Sequence, residues 1–189
     1  GTLRAGANEG DFLRNFNPAN SEIGGGGVTI DSNAFSITAQ NEFDGSGALT
    51  KVGAGTLKLT ADNLYSGGTS VTGGNLYVSN GAGSGTGSGD VTVTGASSVL
   101  GGFGTISGSV TASGSGSVAP GESTGVLSVG TNVTFSVADT KPWTIRLDTK
   151  TTSTVTMTLK FSGNEVQFGT EMNVSFGPSK DVPLVGKAE

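Results

Sequence analysis

The sequence contains no cysteine and no histidine among its 189 residues. These absences exclude disulfide frameworks, Cys/His zinc sites, thiol nucleophiles and imidazole acid–base chemistry. Charged residues make up 13% of the chain and the formal net charge is −5. The few basic residues are scattered, so we expect no binding to nucleic acid or anionic lipid. No apolar run approaches the roughly 20 residues of a membrane-spanning helix, and we predict no membrane-spanning segment.

Small and hydroxyl-bearing residues dominate instead, with 34 glycines, 23 serines and 25 threonines. The apolar residues come in short bursts that alternate with polar ones, at 28–30, 35–37, 57–59, 76–78, 91–93, 126–129 and 133–135. A period of two with β-branched or aromatic residues predicts β-strands. The spacing of Phe12 and Phe16 behind Asp11 predicts one short helical turn at 11–16. We therefore predict an all-β chain.

Short strands joined by Gly, Asn and Ser turns are compatible with a sandwich, a barrel or a solenoid. Two observations favour the solenoid. Similar units recur at 67–72 (Gly-Gly-Thr-Ser-Val-Thr), 89–94 and 108–113, with offsets of 22 and 19 residues. Residues 59–138 contain only three charged side chains, Asp62, Asp90 and Glu122. Ser and Thr ladders hydrate a stacked surface without placing like charges about 4.8 Å apart on every turn.

Residues 51–80 carry a family resemblance. They follow the pattern K-x-G-x-G-T-L-x-L, then N-x-Y-x-G-x-T-x-V, then G-x-L-x-V. The matching residues are Lys51, Gly53, Gly55, Thr56, Leu57, Leu59, Asn63, Tyr65, Gly67, Thr69, Val71, Gly74, Leu76 and Val78. This segment resembles the passenger-associated transport repeat, also called the autotransporter-associated β-strand repeat. Flanking units such as 101–106 and 119–123 extend the resemblance over residues 1–137.

The resemblance implies a right-handed parallel β-helix over residues 1–137, in which 1–27 form an N-terminal cap or a contact segment. In such a helix we expect five residues to point inward and stack in columns: Leu57, Leu59, Val71, Leu76 and Val78. The glycines at 53, 55, 67, 68, 73 and 74 would form the corners. Asn63 would bind backbone groups left unpaired at a turn, and Tyr65 would cover the edge of a rung.

Residues 138–189 differ in character, with longer alternating segments at 143–147, 155–161 and 172–176. We interpret them as terminal rungs or a β-rich cap over the open end of the helix. Trp143 fits an aromatic lid better than a sugar-stacking platform. A strand-like run at 182–185 predicts that the natural polypeptide continues past Glu189.

No catalytic, cofactor-binding or metal-binding residues are predicted, because the acids are dispersed and no nucleophile–base pair is present. The glycine-rich segment 85–91 lacks the Lys-Ser/Thr of a phosphate loop and the tandem repeat of a calcium site. It is interpreted as a flexible corner loop.

Two functional hypotheses remain open at this point. The first is a structural, non-catalytic, passenger-like stalk of a secreted or cell-surface bacterial protein, self-associating into fibres by end-to-end or strand-addition contacts. The second is an adhesin that presents a surface for carbohydrate or protein. The extracellular location is implied by the resemblance. Few binding anchors such as Trp, Tyr and Arg lie in the central region, which favours the structural role.

Overall fold

The computed structural model describes residues 1–17, 20–122, 126–137 and 157–161, with side chains described except at 135–137 and 157–161. These residues form sixteen strands and no α-helix. The strands are β1 (Thr2–Arg4), β2 (Glu9–Leu13), β3 (Val28–Asp31), β4 (Ser36–Ala39), β5 (Leu49–Val52), β6 (Thr56–Leu59), β7 (Thr69–Val71), β8 (Asn75–Val78), β9 (Val91–Val93), β10 (Val99–Gly102), β11 (Thr105–Ile106), β12 (Val110–Ser113), β13 (Ser117–Pro120), β14 (Ser128–Val129), β15 (Val133–Val137) and β16 (Met157–Phe161).

The strands stack into two long sheets and one short sheet. Sheet A has eight strands in the order β1-β3-β5-β7-β9-β12-β15-β16, sheet B has six in the order β13-β10-β8-β6-β4-β2, and β11 and β14 form sheet C. Every pairing between these strands is parallel. The chain is therefore a β-solenoid of about five turns, which confirms the predicted fold class. Its right-handedness stays a prediction.

The repeated units of the sequence mark the register of sheet A. Ser70 pairs with Thr92, and Thr92 pairs with Thr111. These pairings are 22 and 19 residues apart, which equals the offsets between the repeated units. The repeat therefore advances the chain by one turn, and equivalent residues of successive units lie directly above one another.

The interior consists of apolar columns that run along the solenoid axis. In sheet B one column is Ile37, Leu57, Leu76 and Leu100, and in sheet A another contains Val71 and Val93. All of these side chains are fully buried. Each fully buried side chain of this size contributes about 1.5–3 kcal/mol relative to an exposed one. The five residues expected to point inward, from Leu57 to Val78, are all buried, as predicted.

The predicted helical turn at 11–16 is wrong. Residues 9–13 form strand β2, and Leu13 is buried where it pairs with Ala39 of β4. Strands β1 and β2 stack on β3 and β4, so parallel pairing outweighs a weak local helix signal. Among the described residues, no helix is both long and apolar enough to cross a bilayer.

The expected cap over residues 138–189 falls almost entirely outside the described residues, as does Trp143. The described part of this segment, β16, pairs in parallel with β15. The assignment of 138–189 as terminal rungs or a cap stays a prediction.

Candidate functional site

A lysine occupies an inward position in an otherwise apolar column of sheet A. Lys51 pairs with Ile30 on one side and with Val71 on the other, and its relative exposure is 0%. Strand alternation explains the placement, because Lys51 is two residues after the buried Leu49 and shares its face. A fully buried lysine is rare unless its ammonium group is paired.

The Lys51 ammonium group lies within a cage of backbone carbonyl oxygens. Its Nζ donates to the oxygens of Val52 at 2.9 Å, Gly53 at 3.0 Å and Gly55 at 3.1 Å, which belong to the corner after β5. A fourth bond, of 2.9 Å, reaches Gly73 on the next turn. Because an ammonium group has three N–H donors, at least one donor is shared. Lys51 therefore ties its own corner to the following turn.

The two glycines of the Lys-x-Gly-x-Gly motif let the chain form this cage. Gly53 has a φ of 81°, and a Cβ added there would lie 2.4 Å from Asp31 Oδ1. A Cβ on Gly55 would lie 2.1 Å from the carbonyl oxygen of Phe35. Any other residue would strain or displace the backbone at these positions. The motif thus couples a cation to a corner tight enough to aim its carbonyls inward.

A second pair of charges lies beside the cage. The Asp31 carboxylate accepts hydrogen bonds of 2.7 Å from the backbone N–H of Asn33 and of 2.7 Å from Nε of Arg4. These two bonds, and more weakly the positive charge of Lys51, lower the pKa of Asp31. The Arg4 side chain is largely exposed, so the ion pair lies at the surface.

Burial lowers the pKa of Lys51 from 10.5 to about 8, and the negative charge of Asp31 opposes this shift. The amine is therefore still mainly protonated at neutral pH. Full burial closes Lys51 to any external substrate, so the arrangement supports a structural cross-link rather than a nucleophilic amine.

A second polar cluster occupies the corner after sheet B. Asn63 is 3% exposed. Its Oδ1 accepts the backbone N–H of Phe43 at 2.8 Å, and its Nδ2 donates to the carbonyl of Gly85 at 2.7 Å and to that of Ala61 at 3.3 Å. Phe43 and Gly85 belong to the turns on either side. Asn63 thus has the role expected from the sequence, a corner asparagine that binds unpaired backbone groups.

Buried polar residues recur at the same corner of the neighbouring turns. Asn41 accepts the backbone N–H of Phe16 at 2.9 Å, and Ser84 Oγ accepts that of Ser107 at 3.1 Å. Asn41, Asn63 and Ser84 are all buried and are spaced by 22 and 21 residues. The corner is therefore lined by a polar column that bridges successive turns.

Tyr65 lies inside the solenoid and does not cover a rung edge as expected. It is fully buried, and its hydroxyl oxygen lies 2.7 Å from Thr69 Oγ1. Burial raises the pKa of the phenol, and the hydrogen bond to Thr69 opposes that shift. Thr69 takes an inward position in sheet A, so the two hydroxyl groups satisfy one another.

The glycine-rich segment at 85–91 begins as a packed corner, whereas a flexible loop was expected. Residues 84–87 are all buried. A Cβ on Gly87 would lie 1.9 Å from the carbonyl oxygen of Tyr65, so the backbones of two turns are in close contact here. In the described part of the chain, Thr86 Oγ1 is the buried side-chain polar atom without a hydrogen-bond partner.

The outer face of sheet B carries a small cluster of charge and aromatic surface. Lys58 Nζ lies 2.5 Å from Glu122 Oε1 and 5.4 Å from the centre of the Phe103 ring. Phe103 is 55% exposed. Ser79 Oγ also donates to Glu122, at 3.2 Å. A cation, a carboxylate and an exposed ring in this arrangement can contact a polar ligand.

The residues the structure describes contain no group of three or more Asp or Glu side chains that could hold a metal ion. Sequence reasoning assigned no role to Lys51 beyond a motif match. The signal that identifies its burial was present, because Lys51 alternates in phase with Leu49. The carbonyls that it binds could not be identified from spacing alone.

Comparison with known protein families gives one match. Residues 49–78 match the family model described as Passenger-associated-transport-repeat. The match confirms the resemblance over the segment that contains Lys51, Asn63 and Tyr65. Searches of curated proteins and of solved structures found no match.

Proposed function

We propose that this chain is a non-catalytic, rigid stalk segment of a secreted or cell-surface bacterial protein. The repeat family and the β-solenoid fit a secreted, passenger-like structural segment. The observation that carries the proposal is the continuous stacking of turns with buried polar cross-links between them. Lys51 and Asn63 each join backbone groups of different turns, which resists bending and shear as well as unfolding.

The location of the protein can be tested in the bacterium that produces it. Antibody labelling of intact cells and fractionation should find the protein at the surface or in the medium. Detection of the intact protein only in the cytoplasm would contradict the proposal. A screen for turnover of polysaccharides tests the non-catalytic part, and we expect no turnover.

We further propose that the stalk self-associates into fibres through its first turn. Leu3 is 42% exposed and Phe16 is 53% exposed, and both lie within residues 1–22. Electron microscopy of the purified chain should show regular filaments that L3D and F16D abolish. The matched control is L64D, since Leu64 is 57% exposed on a later turn. Filaments that persist in L3D and F16D, or a monodisperse wild-type monomer, would contradict assembly through this turn.

A second candidate function is that of an adhesin, and the cluster of Lys58, Phe103 and Glu122 is the observation that favours it. An exposed ring flanked by hydrogen-bonding groups is typical of carbohydrate contacts. A glycan array would test this function with wild type and F103A, with L64A as the matched control for a lost exposed apolar side chain. Retention of one glycan class by wild type and L64A, but not by F103A, is the result that supports it.

A further inference from the structure

The outer face of sheet A carries a row of hydroxyl groups in strict register. Successive pairings place Thr2, Thr29, Thr50, Ser70, Thr92, Thr111 and Thr134 above one another, and this set is named the hydroxyl ladder. Thr158 continues the register in β16. No register shift interrupts the described pairings of sheet A, whereas sheet B has one between β2 and β4.

The hydroxyl groups of this ladder are not used inside the protein. Within the described part of the chain, none of the seven side chains makes a hydrogen bond to another group. By contrast, hydroxyls at the corners bind backbone, as Ser84 Oγ and Ser98 Oγ do. Adjacent ladder hydroxyls are about 4.8 Å apart, too far for a direct hydrogen bond, so each is free to bind water.

A second row of hydroxyl residues runs beside the ladder. Thr72, Thr94 and Ser113 come two residues after Ser70, Thr92 and Thr111 and share their outward phase. Thr72 and Thr94 are exposed. The two rows are separated by about 6.6 Å along the strand, so hydroxyl and methyl groups form a two-dimensional lattice with fixed spacings.

The face is nearly free of charge. The Arg4–Asp31 ion pair lies at its first end, and Asp90 borders it, with Oδ1 accepting the backbone N–H of Ser109 at 2.8 Å. The outward positions in both rows from β7 to β12 hold only Ser and Thr. No aromatic residue is present among them, so the stacking surface that sugars require is absent.

We propose that this face binds the ordered water layer of an ice crystal. A rigid lattice of hydroxyl and methyl groups orders water at its own spacings, and about 4.8 Å between rows is close to a repeat of hexagonal ice. A second copy is disfavoured by area. Seven strands offer about 30 Å by 10 Å, or about 300 Å², whereas a stable interface needs about 800 Å² per partner. The proposal is independent of the stalk function.

The test is the growth of single ice crystals in solutions of the purified chain. We expect wild type to shape the crystals and to hold them from growing below the melting point. T92Y should abolish this effect, because a bulky ring on an exposed ladder position prevents close contact with a flat crystal. T38Y is the matched control, since Thr38 faces outward on sheet B, and it should retain the effect.

Circular dichroism should confirm that both variants fold, and T50Y replaces T92Y if that variant does not. Unshaped crystals in wild type would overturn the proposal, and so would an equal loss in T92Y and T38Y. Binding to crystalline cellulose, or a dimer in size-exclusion chromatography, that T92Y removes while wild type leaves ice unshaped would assign the face to a polysaccharide or to a second copy instead.

Discussion

The solenoid has two kinds of polar corner, which differ in the backbone groups that they leave inside. The Lys51 corner leaves four carbonyl oxygens and is served by a side chain that only donates. The Asn63 corner leaves one N–H and two carbonyls and is served by an amide that donates and accepts. The residue type at each corner follows from this inventory of donors and acceptors. Neither residue is exchangeable for the other.

The largest effect is expected when the cation is removed. K51M keeps a long side chain but leaves four buried carbonyls without their donor, and we expect a loss of about 3–5 kcal/mol of unfolding free energy. The measurement is the shift of the urea denaturation midpoint, with the slope compared between proteins. K58M is the matched control on the outer face, where an ion pair contributes about 0–1 kcal/mol. Equal shifts in both variants would show that the cage contributes little.

The Asn63 corner can be tested by removing donors while keeping shape. N63D places a carboxylate, which only accepts, opposite the carbonyls of Ala61 and Gly85, and we expect a loss of about 2–4 kcal/mol. The matched control is N75D, because Asn75 is half-buried on sheet B and makes one long side-chain bond of 3.3 Å, to Thr56. If N63D is as stable as N75D, the amide donor is unimportant.

The dependence of stability on pH separates the two corners further, because only the Lys51 corner titrates. The pKa of Lys51 falls from 10.5 when unfolded to about 8 when folded. Between these values the unfolded chain binds the proton and the folded chain does not, so the Lys51 contribution to stability rises with pH. The stability difference between wild type and K51M should therefore shift in favour of wild type from pH 8 to pH 10.

Tyr65 titrates near the upper end of this window and would otherwise obscure the result. Burial raises its pKa when folded, so stability falls as pH rises above the unfolded value. This loss is common to wild type and K51M and cancels in the difference. A difference that stays constant from pH 8 to pH 10 would contradict a lowered pKa for Lys51.

The smallest effect, and the one of opposite sign, is expected at Thr86. Its hydroxyl is buried without a partner, so T86V removes an unsatisfied group while keeping the shape of the side chain. We expect a gain of up to about 1 kcal/mol, measured as a higher denaturation midpoint. T69V is the control, because Thr69 is bonded to Tyr65, and it should be destabilising. A loss at both positions would indicate that Thr86 has a partner in solution.

Much of the fold could be predicted because its signals are local. Alternation identified the inward residues Leu57 and Leu76, and the repeat offsets gave the register of Ser70 on Thr92. The corner role of Asn63 was also predicted correctly. The helical turn at 11–16 was wrong because the spacing of two phenylalanines is weak evidence against a strand that completes two sheets.

The candidate site was predicted only in part. Alternation with Leu49 places Lys51 inside, yet no local pattern indicates that a buried cation will be satisfied. The burial of Tyr65 depends on Thr69, four residues later, and on the space inside the solenoid. Sequence reasoning placed this ring at an edge because it treated the rung as thin.

The sequence by itself determined the strand period, the length of a turn and the corners that only glycine can form, because these depend on neighbours along the chain. The tertiary structure decided which backbone groups meet at each corner. Lys51 reaches Gly73, and Asn63 reaches Gly85, each 22 residues away, because stacking places consecutive turns in contact. Hydrogen-bond partners are set by that contact in space, and the residue that satisfies them can be understood only once the turns are stacked.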